Sequence, residues 1–233
     1  MKTKVILLIM VGFTLTVKAQ YPVGDKWYQN PLGFKPVELH TNMGFIIPAV
    51  VVAGGLLLTA KDSALTNRLS VYTEGGITFG YKYPYTTVVQ SNTGVNFMLR
   101  KWMSVGAEFS MTNPFDEYNN PLGFSIRPFA RFYMINRPSW KFWFESGGGI
   151  VYFLDNFPQP TTQDSRLGTY WNGTTKYGLG VQIAISNTAS IFFGARHLHV
   201  SNGNTKGAER NPSHDSNGLF AGINWNLDSG KNE

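Results

Sequence analysis

Three stretches of this chain alternate, residue by residue, between apolar side chains and small or polar ones. Met103, Val105, Ala107, Phe109 and Met111 are interleaved with Ser104, Gly106, Glu108 and Ser110. Tyr177, Leu179, Val181, Ile183 and Ile185 are interleaved with Lys176, Gly178, Gly180, Gln182 and Ala184. Leu219, Ala221, Ile223, Trp225 and Leu227 are interleaved with Phe220, Gly222, Asn224 and Asn226. Successive side chains of a strand point to opposite faces, so each stretch has one apolar face and one small or polar face. Strands of that kind suit a barrel with hydrocarbon outside and a narrow polar lumen inside.

Eight such segments can be read: about 71–83, 93–100, 102–111, 123–135, 141–154, 174–186, 189–201 and 216–227. Their lengths are of the order needed by a tilted strand to cross a bilayer. The links at 100–102, 136–140 and 187–188 are short, whereas those at 84–92, 112–122, 155–173 and 202–215 are long and rich in Pro, Asn, Thr, Gly and Ser. Short and long links alternate, as periplasmic turns and external loops do. The expected fold is all-β: an eight-stranded antiparallel transmembrane barrel over 71–233, carrying an N-terminal extension. An even strand count puts both barrel ends in the periplasm, so odd strands run outward and Ser201 ends the seventh near the outer leaflet. A barrel this small is filled by its own side chains, which excludes a porin.

Composition agrees. Charged residues are 15% and aromatics 15%, against about 25% charged in ordinary soluble domains. The chain has no cysteine, so no disulfide stabilises it. Residues 1–19 read as an export signal, with Lys2 and Lys4 ahead of an apolar run and Val17-Lys18-Ala19 as the cleavage site. Removing that leader with its three lysines leaves a net charge of only +3. That balance, without a basic run carrying interleaved aromatics, argues against nucleic acid. Residues 20–70 form the extension, and within it 43–58 is strongly apolar but holds Pro48, Gly54 and Gly55. The segment is short for a spanning helix; it is expected to pack on or into the barrel as a strand, a hairpin or an inserted piece.

Three of the four histidines, His197, His199 and His214, fall beside Ser201, Asn202, Gly203, Asn211 and Asp215. If the seventh strand has no bulge, the outer row Ile191, Phe193, Ala195 continues through His197, His199 and Ser201. In the eighth, the row of Leu219, Ala221 and Ile223 extends back to Asp215. A base, a hydroxyl and a carboxylate would then share one face of paired strands. A serine hydroxyl needs an adjacent base to act as a nucleophile. His199 can take the proton of Ser201, and Asp215 can fix the imidazole. The Asn202 and Asn211 side chains or the Gly203 amide could supply oxyanion donors. His197 is read as a structural or interfacial ring. Arg196 should point inward and pair with Glu108 or Glu145.

The run His199-Val200-Ser201-Asn202-Gly203, followed by Asn211 and an acidic residue, resembles the PagL lipid A deacylases, also labelled acyloxyacyl hydrolases. The resemblance implies an outer-membrane esterase with His199 as base, Ser201 as nucleophile and Asp215 as acid, and with Asn202 and Asn211 at motif positions. It implies removal of the 3-O-linked acyl chain of lipid A, with lipopolysaccharide as substrate and no metal or other cofactor. The family acid is Glu where this chain has Asp215, and Glu209 is the rival for that role. Dimerisation is left open. Two other readings stand beside this one: a metal site made by His197, His199, His214 and Asp215, and a non-catalytic barrel serving as a structural or interaction protein.

Overall fold

The computed structural model describes residues 41–61 and 68–227; the expected leader and the first half of the extension lie outside them. Eight strands follow one helix: α1 (Thr41–Leu58), β1 (Leu69–Gly80), β2 (Thr87–Arg100), β3 (Met103–Phe115), β4 (Gly123–Asn136), β5 (Trp140–Phe157), β6 (Thr169–Ala184), β7 (Ala189–Ser201) and β8 (His214–Asn226). Each strand pairs with the next, and β8 returns to β1 to close an antiparallel barrel. Closure leaves no strand edge with unpaired backbone groups, which a bilayer would not tolerate. Long and short links alternate as the sequence predicts.

The outer wall carries Val89, Val95, Phe109, Ile126, Ile150, Leu179, Phe193 and Leu219, all exposed. Such a surface is stable only against hydrocarbon. The lumen is filled by charges and rings. Lys176 Nζ lies 2.6 Å from Glu108 and 3.0 Å from Glu145, and Arg127 and Arg131 complete those pairs at 2.7 and 2.6 Å. Arg196 does point inward, but it bonds Glu74 at 2.6 Å and neither of the two glutamates expected for it. Glu108 and Glu145 are already taken by Arg127, Arg131 and Lys176, whereas Glu74 is reached across β8, where Arg196 is opposite Gly218 and Glu74 opposite Gly222. Four cations thus meet three carboxylates. The surplus is offset by ring faces, with the Arg131 guanidinium 4.5 Å from Trp143 and that of Arg196 3.8 Å from Phe220.

The apolar run of the extension is a helix, not a strand or hairpin. It touches β4, β5, β6 and β7, and it does so from outside. On those strands and the start of β3 the outward residues Met103, Ala130, Ser146 and Thr175 are buried, while outward residues of β2 are exposed. Pro48, Val51, Val52 and Gly55 form the covered stripe, at helical spacing, and Ile46, Ile47, Val50, Leu57 and Leu58 face away. Gly55 sits against the Trp102 ring so closely that a Cβ would lie 2.6 Å from it. At the far end of α1, Arg100 donates to the Thr59 hydroxyl and carbonyl at 3.0 and 3.1 Å, a cation placed where the helix exposes its last carbonyls.

Candidate active site

His199 and Asp215 of the expected triad meet on the outer wall, with Ser201 two residues along the same face, because the β7–β8 ladder runs without a bulge. His199 is directly opposite Asp215, and His197 directly opposite Asn217. His199, Ser201 and Asp215 are 5%, 8% and 2% exposed, screened by the loop that follows Ser201 and by neighbouring rings. His199 Nδ1 is 2.7 Å from Asp215 Oδ1. A carboxylate at Nδ1 fixes the tautomer that leaves Nε2 with its lone pair.

Ser201 closes β7, two residues along the same face. Its hydroxyl donates to Asn211 Oδ1 at 3.0 Å, so its one proton is turned toward the loop in this conformation. The backbone then turns sharply through Gly203, at φ 62°, a left-handed conformation that glycine adopts without strain. That turn swings the Gly203 amide back to donate to Ser201 Oγ at 3.0 Å. Asn211 also accepts the Asn202 amide at 3.1 Å, and the Asn202 side chain donates to the Arg210 carbonyl and receives the Asn204 amide. Both asparagines are therefore committed to holding the loop. Of the three expected oxyanion donors, only the Gly203 N–H faces the serine oxygen.

The rival acid Glu209 lies in a short 3-10 turn (Ala208–Arg210), exposed, with its carboxylate folded back over Gly207. His214 leaves the metal set by parity. It precedes outward Asp215 and so points into the lumen, with its ring 5.6 Å from Phe157. Among the described residues no group of three His, Cys, Asp or Glu side chains is placed to hold a metal ion.

Three further neighbours, Lys82, Tyr81 and Tyr177, are not among the expected site residues. Lys82, in the β1–β2 link, bonds Asp215 Oδ2 at 3.2 Å with its own side chain half exposed. Tyr177 and Tyr81 flank His197, at ring distances of 4.8 and 6.3 Å. Outward parity on β6 points to Tyr177, whereas Lys82 and Tyr81 arrive only through closure of β1 on β8. One step down the same wall, Gly75, Ile77, Phe193, Leu219 and Ala221 line an apolar depression of about 630 Å³.

A family model described as "Lipid A 3-O-deacylase (PagL)" matches residues 100–224, a span that includes His199, Ser201 and Asp215. No curated protein sequence gives a significant match. Among solved structures, Neisserial surface protein A (NspA) aligns with a TM-score of 0.51 at 10% identity, over 68% of this chain and 97% of that one. The outer membrane enzyme PagL aligns with a TM-score of 0.49 at 18% identity, over 66% and 97%. Ail, the attachment invasion locus protein of Yersinia pestis, aligns with a TM-score of 0.40 at 13% identity, over 68% and 97%.

Proposed function

The chain belongs to the lipid A 3-O-deacylase (PagL) family, and from that premise we propose that it is an outer-membrane serine esterase that removes the 3-O-linked acyl chain of lipid A. The observation that carries the proposal is the His199–Asp215 hydrogen bond at 2.7 Å on the lipid-facing wall, with Ser201 two residues along the same face. Polar groups at the membrane level are costly and are usually retained for function.

The reaction requires the Ser201 hydroxyl to leave Asn211 for His199, a change of χ1 to another staggered well about 120° away. Ser201 Oγ attacks the ester carbonyl carbon while its proton passes to His199 Nε2. The negative oxygen of the tetrahedral intermediate receives the Gly203 N–H, and Asp215 stabilises the imidazolium. Collapse breaks the bond to the sugar 3-oxygen, which takes the proton from His199. Water, deprotonated by His199, then cleaves the acyl-serine to free fatty acid and restores the hydroxyl. The apolar depression below the site fits the hydrocarbon of the leaving acyl chain. The substrate would reach the triad laterally, from within the leaflet.

The test is mass spectrometry of lipid A from cells expressing the wild type or Ser201→Ala. One hydroxyacyl chain should be lost with the wild type and kept with the variant. Identical spectra would sink the esterase and leave a barrel whose long loops do its work.

A further inference from the structure

We propose that His197 is a positioning residue of the same site, a second imidazole that holds the Asp215 carboxylate in the orientation His199 needs. The inference rests on the esterase reading above.

His197 belongs to the outer row of β7, and its ring is only 3% exposed. Tyr177 and Tyr81 clamp it from two sides. Its Nε2 lies 3.4 Å from Asp215 Oδ1, the same oxygen that holds His199 Nδ1. Its Nδ1 is 3.0 Å from Asn217 Oδ1. His199, Asp215, His197 and Asn217 therefore form one chain of polar groups along the β7–β8 ladder.

The protonation of this chain follows from what each buried atom faces. His197 Nε2 and Asn217 Nδ2 are both buried and have no hydrogen-bond partner. A bare imidazole nitrogen turned toward an ionised carboxylate is repelled, and a buried unpaired amide is costly. Turning the Asn217 carboxamide about χ2 brings Nδ2 onto His197 Nδ1, leaving the ring proton on Nε2 and directed at Asp215. The other solution is the imidazolium, which also carries hydrogen on Nε2. In both, Asp215 Oδ1 accepts from two imidazoles, and closing 3.4 Å to a normal bond needs a shift of a few tenths of an ångström.

This assignment gives the carboxylate three restraints: His199 and His197 on Oδ1, and Lys82 on Oδ2. Lys82 is half exposed and held by a flexible stem, so it cannot set an orientation well. His197 is rigid, clamped between rings, and sits on the same strand as the base. It touches the acid rather than the reacting atoms, so its effect should fall on kcat and leave KM alone.

The experiment uses the full-length barrel, refolded in detergent, assayed on lipid A. His197→Phe keeps the ring and removes the donor, while His197→Gln keeps a donor. We expect His197→Phe to lower kcat by about ten- to a hundredfold, the effect of losing one hydrogen bond to a charged group, with KM within about twofold and partial rescue by Gln. In an Asp215→Ala background the same change should cost nothing further, because its target is gone. An equal loss in that background, or an unchanged kcat in the single variant, overturns the proposal. Nuclear magnetic resonance of histidine-labelled protein gives a readout independent of turnover: the downfield proton between His199 and Asp215 should move in His197→Phe, and a fixed resonance counts against the idea. If His197→Phe does not fold, Asn217→Leu loosens the same ring from its other side and is judged by the same resonance. Full activity in Ser201→Ala would strike the esterase reading itself, whereas an inactive Ser201→Ala beside a fully active His197→Phe would strike this inference alone.

Discussion

His199 and Asp215 face each other as a directly opposed pair on β7 and β8, with Nδ1 and Oδ1 2.7 Å apart. That bond distinguishes the two candidate acids. Asp215→Asn should lower deacylation by roughly a thousandfold or more, since the amide favours the wrong imidazole tautomer. Glu209→Ala, which removes an exposed carboxylate folded over Gly207, should leave the rate within about twofold. Rates on purified lipid A, measured side by side, decide it; equal losses would mean that the loop carboxylate reaches the site in solution.

The pairing was legible because nothing interrupts the period of two where it matters. Register shifts occur at 98/100 in β2, at 133/135 in β4 and between 152 and 157 in β5, but none breaks β7 or β8. Counting by twos from Phe193 therefore lands on His199 and Ser201, and from Leu219 on Asp215. A bulge in either strand would have sent the triad to opposite faces. What lay beyond sequence reasoning depends on closure. Lys82 meets Asp215 from 133 positions away, across the β8–β1 seam. Arg196 reaches Glu74 across β8, where a glycine stands opposite each, and no spacing rule records that crossing. α1 was hidden for another reason: Pro48, Gly54 and Gly55 read as breakers, yet the helix runs through all three, and Gly55 is needed for close approach to Trp102.

The lumen supplies a stability prediction. Lys176 is the shared partner of Glu74, Glu108 and Glu145. Lys176→Met keeps the length and deletes the charge, leaving each carboxylate with a single arginine: Arg196 on Glu74, Arg127 on Glu108 and Arg131 on Glu145. What is lost is the bond that bridges them, and a hydrogen bond to a charged group is worth about 1.5–3 kcal/mol. The midpoint of urea unfolding in lipid vesicles should fall accordingly, read by loss of the heat-modifiable gel shift. An unchanged midpoint would mean that water enters the lumen freely.

The docking of α1 makes a separate prediction. Gly55→Leu places a side chain where the Trp102 ring lies and should lift the helix from Met103. The barrel itself should still form, because its ladders do not involve α1. Trp102 should then become more accessible to a lipid-borne quencher of tryptophan fluorescence in the variant than in the wild type. Equal quenching in both proteins would place the helix away from the wall.

The last prediction concerns the depression beneath the triad. Ile77 faces Leu219 and Gly75 faces Ala221 across the β1–β8 seam, with Phe193 beyond. Gly75 is outward, has ordinary backbone angles, and would meet nothing within 4 Å on gaining a Cβ. Gly75→Phe should therefore be accepted by the fold while filling the space an acyl chain would take. Hydrolysis of long-chain lipid A should drop by about tenfold or more, equivalent to losing the burial of two or so methylenes. A short-chain ester, whose tail ends above the depression, should be cleaved at the wild-type rate. That contrast separates a binding effect from damage to the triad, since damage would slow both substrates alike. Undiminished turnover of the long chain would mean that the hydrocarbon leaves the site along another strand pair, with α1 closing off β4 to β6.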